Sequence, residues 1–138
     1  MHQASIRTAD QADLVHLTTL DTHVRAAELE RVVSLGRALL AEQDSEIVGW
    51  LRWSLFWDEH PFMNMLMVRA DLRGNGIGTS LIEAWLDSAR ASQHVRVMTS
   101  TLSTESAQHF YRRLGFVDCG ELQLPGEPVE LLFRMELT

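Results

Sequence analysis

The sequence predicts a single α/β (α+β) domain, and three observations carry that prediction. Its 138 residues are 46% hydrophobic, enough for one real core. Apolar runs of strand length alternate with stretches whose apolar residues recur at helical spacing. Midway along, the apolar run Phe62-Met63-Asn64-Met65-Leu66-Met67-Val68 leads into the glycine-rich turn Arg73-Gly74-Asn75-Gly76-Ile77-Gly78. Beyond it Ile77, Leu81, Ile82, Trp85, Leu86 and Ala89 mark one face of a helix.

The elements follow in order. Ser5-Ile6-Arg7 reads as a short first strand, and Asp10 as the N-cap of a helix carrying Leu14, Leu17, Thr18 and Leu20. A second helix is expected from about Thr22 to Ser34, with Ala26, Leu29, Val32 and Val33 on one face and Gly36 closing it. Ala38–Glu42 and Ile47–Trp57 form a hairpin around Gln43-Asp44-Ser45. Phe62–Val68 then leads into the glycine turn and its helix, and Val95–Thr99 is the next strand. Thr104–Leu114 is a helix stopped by Gly115. Phe116–Leu122 and Val129–Leu137 make a last hairpin across Pro125-Gly126; the alternation of Val129, Leu131, Phe133, Met135 and Leu137 marks a half-buried strand. The order is β-α-α-β-β-β-α-β-α-β-β, without repeats, linkers or low-complexity segments, so residues 1–138 are expected to form one domain.

Composition narrows the function classes. No run reaches the roughly 18–20 apolar residues of a membrane span, and no basic, apolar leader opens the chain. The single cysteine, Cys119, rules out an internal disulfide framework and suits a reducing cytoplasm. The six histidines and one cysteine lack metal-ligand spacing, so no metal is expected. A formal charge of −7 argues against nucleic acid and suits a cationic amine, though solubility accounts for it as well. All 12 basic residues are arginine, a pattern that codon bias explains.

The glycine turn carries the chemistry. Backbone N–H groups clustered without side chains, at the positive end of a helix dipole, suit a phosphate group; a tight strand-to-helix turn needs the same glycines and binds nothing. A Walker loop is excluded because the chain has no lysine, and G-x-G-x-x-G fails because Thr79 or Leu81 occupies the third glycine's place.

The turn does match Arg/Gln-x-x-Gly-x-Gly/Ala, as Arg73-x-x-Gly76-x-Gly78, after the lead-in Val68-Arg69-Ala70-Asp71-Leu72. Downstream, Ala107-Gln108-His109-Phe110-Tyr111-Arg112-Arg113-Leu114-Gly115-Phe116 is similar to a helix carrying Ala-x-x-Phe-Tyr, closed by Gly-Phe. Both motifs, in this order, resemble the GCN5-related N-acetyltransferases (GNAT), and the resemblance covers nearly the whole chain. It implies the GNAT fold, a mixed six- to seven-stranded sheet flanked by about four helices, with acetyl-CoA as co-substrate.

The resemblance also implies roles. The amides of Gly74, Asn75, Gly76, Ile77 and Gly78, with Thr79, would hold the pyrophosphate, and Arg73 would add charge or cap carbonyls. Leu66, Met67 and Val68 would pair with pantetheine as a false strand. The Val68 N–H would lie near the thioester oxygen, and one such donor is worth roughly 3 kcal/mol of barrier. Tyr111 stands where the family keeps its general acid; a thiol near 8.5 and a phenol near 10 are close enough for proton transfer. An ordinary packed aromatic is the other reading of Tyr111. Where the family usually has a pantetheine-contacting Asn this chain has Thr104, and where some members have a strand glutamate it has Phe62. The nearest candidates for a base are then Asp58, Glu59 and His60, unless they form an ordinary polar turn. Two function classes follow: an N-acyltransferase acting on a primary amine of a small molecule or peptide by direct attack in a ternary complex, or an acyl-CoA-binding sensor or regulatory module of the same fold. The final strand and Trp53–Trp57 could support a homodimer.

Overall fold

The computed structural model describes residues 3–137. In chain order it contains β1 (Ser5–Thr8), α1 (Leu14–Leu20), α2 (Ala26–Ser34), β2 (Ala38–Gln43), β3 (Glu46–Phe56), β4 (His60–Val68), α3 (Ile77–Ala91), β5 (Arg96–Leu102), α4 (Ala107–Leu114), β6 (Val117–Leu122) and β7 (Glu130–Glu136). This is the expected order of elements. The strands make a mixed seven-stranded sheet in the order β1-β2-β3-β4-β5-β7-β6, with β4 and β5 parallel. By contact the chain divides into two compact units: residues up to Ser54 with Met65–Trp85, and Leu55–Asn64 with Leu86 onward.

In the first unit, Asp10 caps a 3₁₀ turn at Gln11–Asp13 rather than an α-helix, and α1 follows directly. The Asp10 carboxylate accepts from Ala12 N at 2.9 Å, while Asp13 reaches back to Asp10 N at 2.7 Å, a reciprocal capping box. Arg7 on β1 grips Asp13 with both terminal nitrogens, at 2.8 and 2.7 Å, and also contacts Glu42 on β2. The second helix starts at Ala26, later than its apolar spacing suggests, and the reason is Asp21. Its buried carboxylate accepts from Arg52 Nε at 2.7 Å, Trp50 Nε1 at 3.1 Å and His23 N at 3.2 Å, which pins the following residues as a turn. Removing one partner from so buried an ion pair costs about 3–5 kcal/mol. The β2–β3 hairpin turns at Asp44-Ser45, both at positive φ, as a two-residue hairpin requires. Leu17, Leu29, Val33, Leu40 and Trp50 form the centre of this unit's core, with Met65 and Met67 packed against it.

In the second unit β7 pairs antiparallel with β5 from Arg96↔Glu136 to Leu102↔Glu130, and with β6 on its other edge. Phe133 is fully buried. The expected alternation on β7 is only partial, because Glu130, Leu132 and Arg134 are half-buried as well. α4 ends as its sequence suggests: Gly115 adopts φ +106, its N–H bonds to Arg112 O and Tyr111 O, and Phe116 N donates to Tyr111 O at 3.1 Å. Arg112 Nε and Nη2 each donate to the Asp118 carboxylate at 2.9 Å and tie α4 to β6.

Arg7 holds the Asp13 carboxyl down at about 2, below the ordinary 3.8. A depressed carboxylate adds stability above its unfolded pKa and loses it as pH falls through the folded value. Asp13→Asn should therefore lower unfolding stability by about 1 kcal/mol at neutral pH, discounted for the exposed Arg7 partner. In urea melts the gap to the parent protein should narrow between pH 4 and pH 2; a constant gap across that range would contradict the assignment.

Candidate functional site

In the first unit the candidate feature is the turn from β4 to α3. Gly74 and Gly76 adopt φ +82 and +83, a region L side chains rarely enter, and a Cβ at either would meet nothing within 4 Å. Space above the turn is therefore open. The side chains beside them brace the turn from within: Asn75 Nδ2 donates to Leu72 O at 3.0 Å, and Arg73 Nε donates to Val68 O at 3.0 Å. Arg73 thus caps a carbonyl while its guanidinium stays on the exposed turn. The first bond of the helix ladder runs from Ser80 N to Gly76 O at 3.0 Å. The amides of Ile77, Gly78 and Thr79 precede that ladder and have no intrahelical acceptor. Together with the helix dipole they are unpaired donors of the kind that suits an anion.

The direction of the β4 backbone follows from two contacts in the same unit. Arg69 N donates to Val48 O on β3 at 2.8 Å, and the Met67 carbonyl lies 3.0 Å from where a Gly49 Cβ would stand. Backbone groups alternate between the two edges of a strand, so Met67 and Arg69 face β3. Leu66 and Val68 face the opposite edge. By the same alternation the Met67 amide lies on the β3 side. Gly49 also sits 3.3 Å, by the same measure, from the side chains of Ile77 and Leu81, so the absence of a side chain there permits α3 to approach β3 and β4 closely.

In the second unit the candidate residue is Tyr111, on α4. Its ring is buried against Phe110, Phe116 and Phe133, with centroids 5.7, 5.8 and 6.0 Å away. Burial pushes the phenol up to about 12. That changes the balance expected of a general acid. A phenol near 12 against a thiol near 8.5 makes complete proton transfer uphill by about 5 kcal/mol. Tyr111 is well suited to hold its proton and donate a hydrogen bond, and poorly suited to give the proton away fully. Thr99 is buried and donates to Met63 O at 3.0 Å. The β4–β5 register consists of Phe62↔Met98 and Met63↔Thr99.

Asp58, Glu59 and His60 do not come together with Val68. β4 is nine residues long with His60 first and Val68 last, and at about 3.3 Å per residue roughly 26 Å separates them. Asp58 and Glu59 are exposed at the β3–β4 turn, where Trp57 and Asp58 both take positive φ. His60 is buried with Nε2 3.3 Å from Arg96 Nη1. Arginine can only donate, so the histidine lone pair is occupied. Arg96 is held in turn by Glu136 at 2.8 Å. His60 thus belongs to a network with Arg96 and Glu136.

Thr104 is exposed and lies before α4, whose N-cap is Ser106; the helix starts three residues later than expected, so Thr104 is no cap. Cys119 is exposed on β6, and burial of its sulfur pushes the thiol up, away from a nucleophilic thiolate. Among the described residues no group of three His, Cys, Asp or Glu side chains is arranged to hold a metal ion. Sequence reasoning missed Thr99 and the Asp21–Arg52–Trp50 cluster. Neither carries a local motif, since the partners are brought together by strand pairing and chain reversal.

Comparisons with known proteins agree with this geometry. A family profile described as Acetyltransferase (GNAT) domain matches residues 34–118. Over 152 aligned residues, 90% of this chain and 86% of the relative, the sequence is 28% identical to the L-methionine sulfoximine/L-methionine sulfone acetyltransferases of Pseudomonas paraeruginosa and Pseudomonas aeruginosa. Among solved structures, Ard1 from Thermoplasma volcanium superimposes with a TM-score of 0.83 at 18% identity, covering 99% of both chains. The Salmonella typhimurium acetyltransferase YncA, solved with acetyl-CoA, gives 0.81 at 18% identity, covering 98% of this chain and 94% of that one. The profile spans more than half of the sequence, the seven-stranded sheet has the matching topology, and the chain belongs to the GNAT family of acetyltransferases.

Proposed function

We propose that this acetyltransferase moves an acetyl group from acetyl-CoA to the primary amine of a small molecule, by direct attack in a ternary complex. The observation that carries the reading is the open cradle at Gly74 and Gly76 above the first-turn amides of α3. It takes the pyrophosphate, and the Leu66 and Val68 edge of β4 takes pantetheine, with the Val68 N–H toward the thioester oxygen. Thr104, exposed before α4, stands within the same cofactor-binding set. As the amine attacks the carbonyl carbon, the C–S bond breaks and the thiolate leaves with its electron pair. Tyr111 stabilises that thiolate by hydrogen bonding, and the proton finally reaching sulfur comes from solvent. The ammonium proton also leaves to water, since Glu59 and His60 lie at the far end of β4. The acceptor class favoured is an amino acid, because the curated relatives act on L-methionine sulfoximine and L-methionine sulfone. A cytoplasmic homodimer completes the reading; Trp57 and the edge strand β6, with Val117 and Leu122, supply exposed apolar surface. A monomer mass by light scattering at micromolar concentration would overturn the dimer.

One observation favours the second reading, an acyl-CoA-binding module without turnover: Tyr111 is buried, its ring enclosed by Phe110, Phe116 and Phe133. Thiol release over a panel of amino acids, polyamines and peptide amines separates the two, with turnover on at least one amino acid expected. Binding of acetyl-CoA by titration calorimetry without turnover on any amine would move the assignment to the second reading.

Gly76→Asp places a strained side chain and a negative charge in the cradle, and should abolish acetyl-CoA binding in calorimetry with the circular dichroism spectrum unchanged. Undiminished affinity would remove the basis of the proposal. Tyr111→Phe keeps the ring packing and should lower kcat by roughly 10²-fold, the lower end for a group acting on the departing atom, with little change in acetyl-CoA affinity. Because the phenol keeps its proton to about 12, kcat should show no alkaline decline below pH 10. Glu59→Gln should leave kcat within about twofold of the parent; a large loss would restore Glu59 as the base.

A further inference from the structure

Arg52, on β3, uses only part of what an arginine offers. Its side chain is 10% exposed, and Nε donates to the buried Asp21 carboxylate at 2.7 Å. A guanidinium carries five N–H donors in one rigid plane, most of them on the two terminal nitrogens. Among the described residues no acceptor meets Nη1 or Nη2 of Arg52, and Trp85 Nε1 is the one fully enclosed side-chain nitrogen or oxygen without a partner. The Arg52 terminal nitrogens therefore touch solvent, while the rest of the side chain is covered. The guanidinium is also held still. The Asp21 oxygen that takes Arg52 Nε takes Trp50 Nε1 at 3.1 Å as well, and the other oxygen takes His23 N at 3.2 Å. A single ammonium would neutralise Asp21 equally. What arginine adds is a fixed pair of outward donors.

The place of Arg52 on the strand matters too. β3 and β4 are neighbours joined by a hairpin, and Val48 O meets Arg69 N. Counting along the antiparallel pair from that contact, Arg52 comes level with the Met65 region of β4. Trp50 shares a core cluster with Met65 and Met67, whereas Gly49 faces Ile77 and Leu81 of α3. Side chains alternate along a strand, so Arg52 stands on the Trp50 face, opposite the helix that receives the pyrophosphate. We propose that the Arg52 fork binds the carboxylate of the acceptor and thereby selects α-amino acids among amines. A carboxylate takes two parallel N–H···O bonds from such a fork. In an α-amino acid the amine and the carboxylate share one carbon, so anchoring the carboxylate also places the amine. Because Asp21 already balances the guanidinium charge, selection comes from fork geometry. The inference rests on the reading of an amino-acid acceptor, and the test is arranged to tell the two apart.

Two measurements use L-methionine sulfone and its carboxamide, which differ only in the carboxylate. The first is a titration of the parent protein with coenzyme A present. The chain has four tryptophans, so ¹⁵N labelling gives four indole signals, and Trp50→Phe identifies the one that shares the Asp21 oxygen with Arg52. The amino acid should move that signal saturably and the amide should move it far less. A signal unmoved up to the solubility limit, or moved equally by both, overturns the carboxylate site whatever the turnover. The second is kinetic. Arg52→Lys keeps a cation for Asp21 and loses the fork, so the ratio of kcat/KM for the acid to that for the amide should fall about 10- to 100-fold from the parent's. A purely structural role would lower both substrates alike, and an unchanged ratio overturns the role of Arg52 while leaving an amino-acid acceptor in place. Turnover of no amine, with the Trp50 signal still moved by the acid, overturns the reading of the acceptor and keeps the carboxylate site. Should the Lys variant fail to fold by melting temperature, the titration of the parent decides the site.

Discussion

The rest of this structure depends on the early end of the β4–β5 ladder. Parallel strands in the middle of a sheet ordinarily pair along their length, because an unpaired N–H or C=O away from water costs as much as a lost hydrogen bond. Here the register has two pairs, Phe62↔Met98 and Met63↔Thr99, although β4 continues to Val68. Something must keep β4 straight once β5 no longer does, and that support comes from β3. Arg69 N bonds to Val48 O, and Gly49 brings the Met67 carbonyl close against β3. The opposite edge, with Leu66 and Val68, is thereby presented to whatever binds there. At the last rung the Thr99 hydroxyl satisfies the Met63 carbonyl. An edge maintained in this way is the property an acetyltransferase needs if a pantetheine arm is to pair in place of a strand.

The same fold restrains Tyr111 in two senses. Burial among Phe110, Phe116 and Phe133 fixes the ring, and that burial also raises the phenol to about 12. Fixing the position of the hydroxyl and keeping it acidic are opposed, because the low-polarity neighbours that fix the ring also disfavour phenolate. A shift of about two units is worth about 3 kcal/mol against ionisation. Stabilising a thiolate requires no ionisation of the donor, only a short, well-aimed O–H. A buried phenol that keeps its proton is therefore a hydrogen-bond donor rather than an acid at neutral pH.

What could be read from the sequence was chemistry that only one residue type can perform. Gly74, Gly76 and Gly115 adopt positive φ, and each was legible because glycine is the residue that does so without strain. The order of strands and helices was legible from apolar spacing. The start of α2 was not, because the buried Asp21 carboxylate holds the preceding turn through Arg52 and Trp50, about thirty positions away on β3. Nor was the turn at Trp57-Asp58, where a tryptophan takes a conformation its sequence does not suggest. β5 runs on to Leu102, three residues beyond the expected strand, and continues the pairing with β7. Asp58 and Glu59 precede β4, which His60 opens and Val68 closes. Extended backbone makes eight residues a long way, roughly 26 Å.

Electrostatics accounts for how a chain of formal charge −7 presents a site for a polyanion. The answer lies in which cations are left uncompensated. Arg69, beside the turn, is held by Asp71 at 2.7 Å and Glu46 at 2.9 Å, so its charge is locally balanced. Arg73 contacts the Val68 carbonyl and the Met67 thioether, both uncharged, and keeps its full positive charge on the exposed turn. To that the first turn of α3 adds roughly half a unit charge from its aligned peptide dipoles. The charge at the turn is thus locally positive although the chain as a whole is negative. The arrangement also explains why the turn can be built mostly from glycine and short side chains. The backbone supplies the donors, the helix supplies the field, and Arg73 supplies the charge while its Nε fixes the strand end that both depend on.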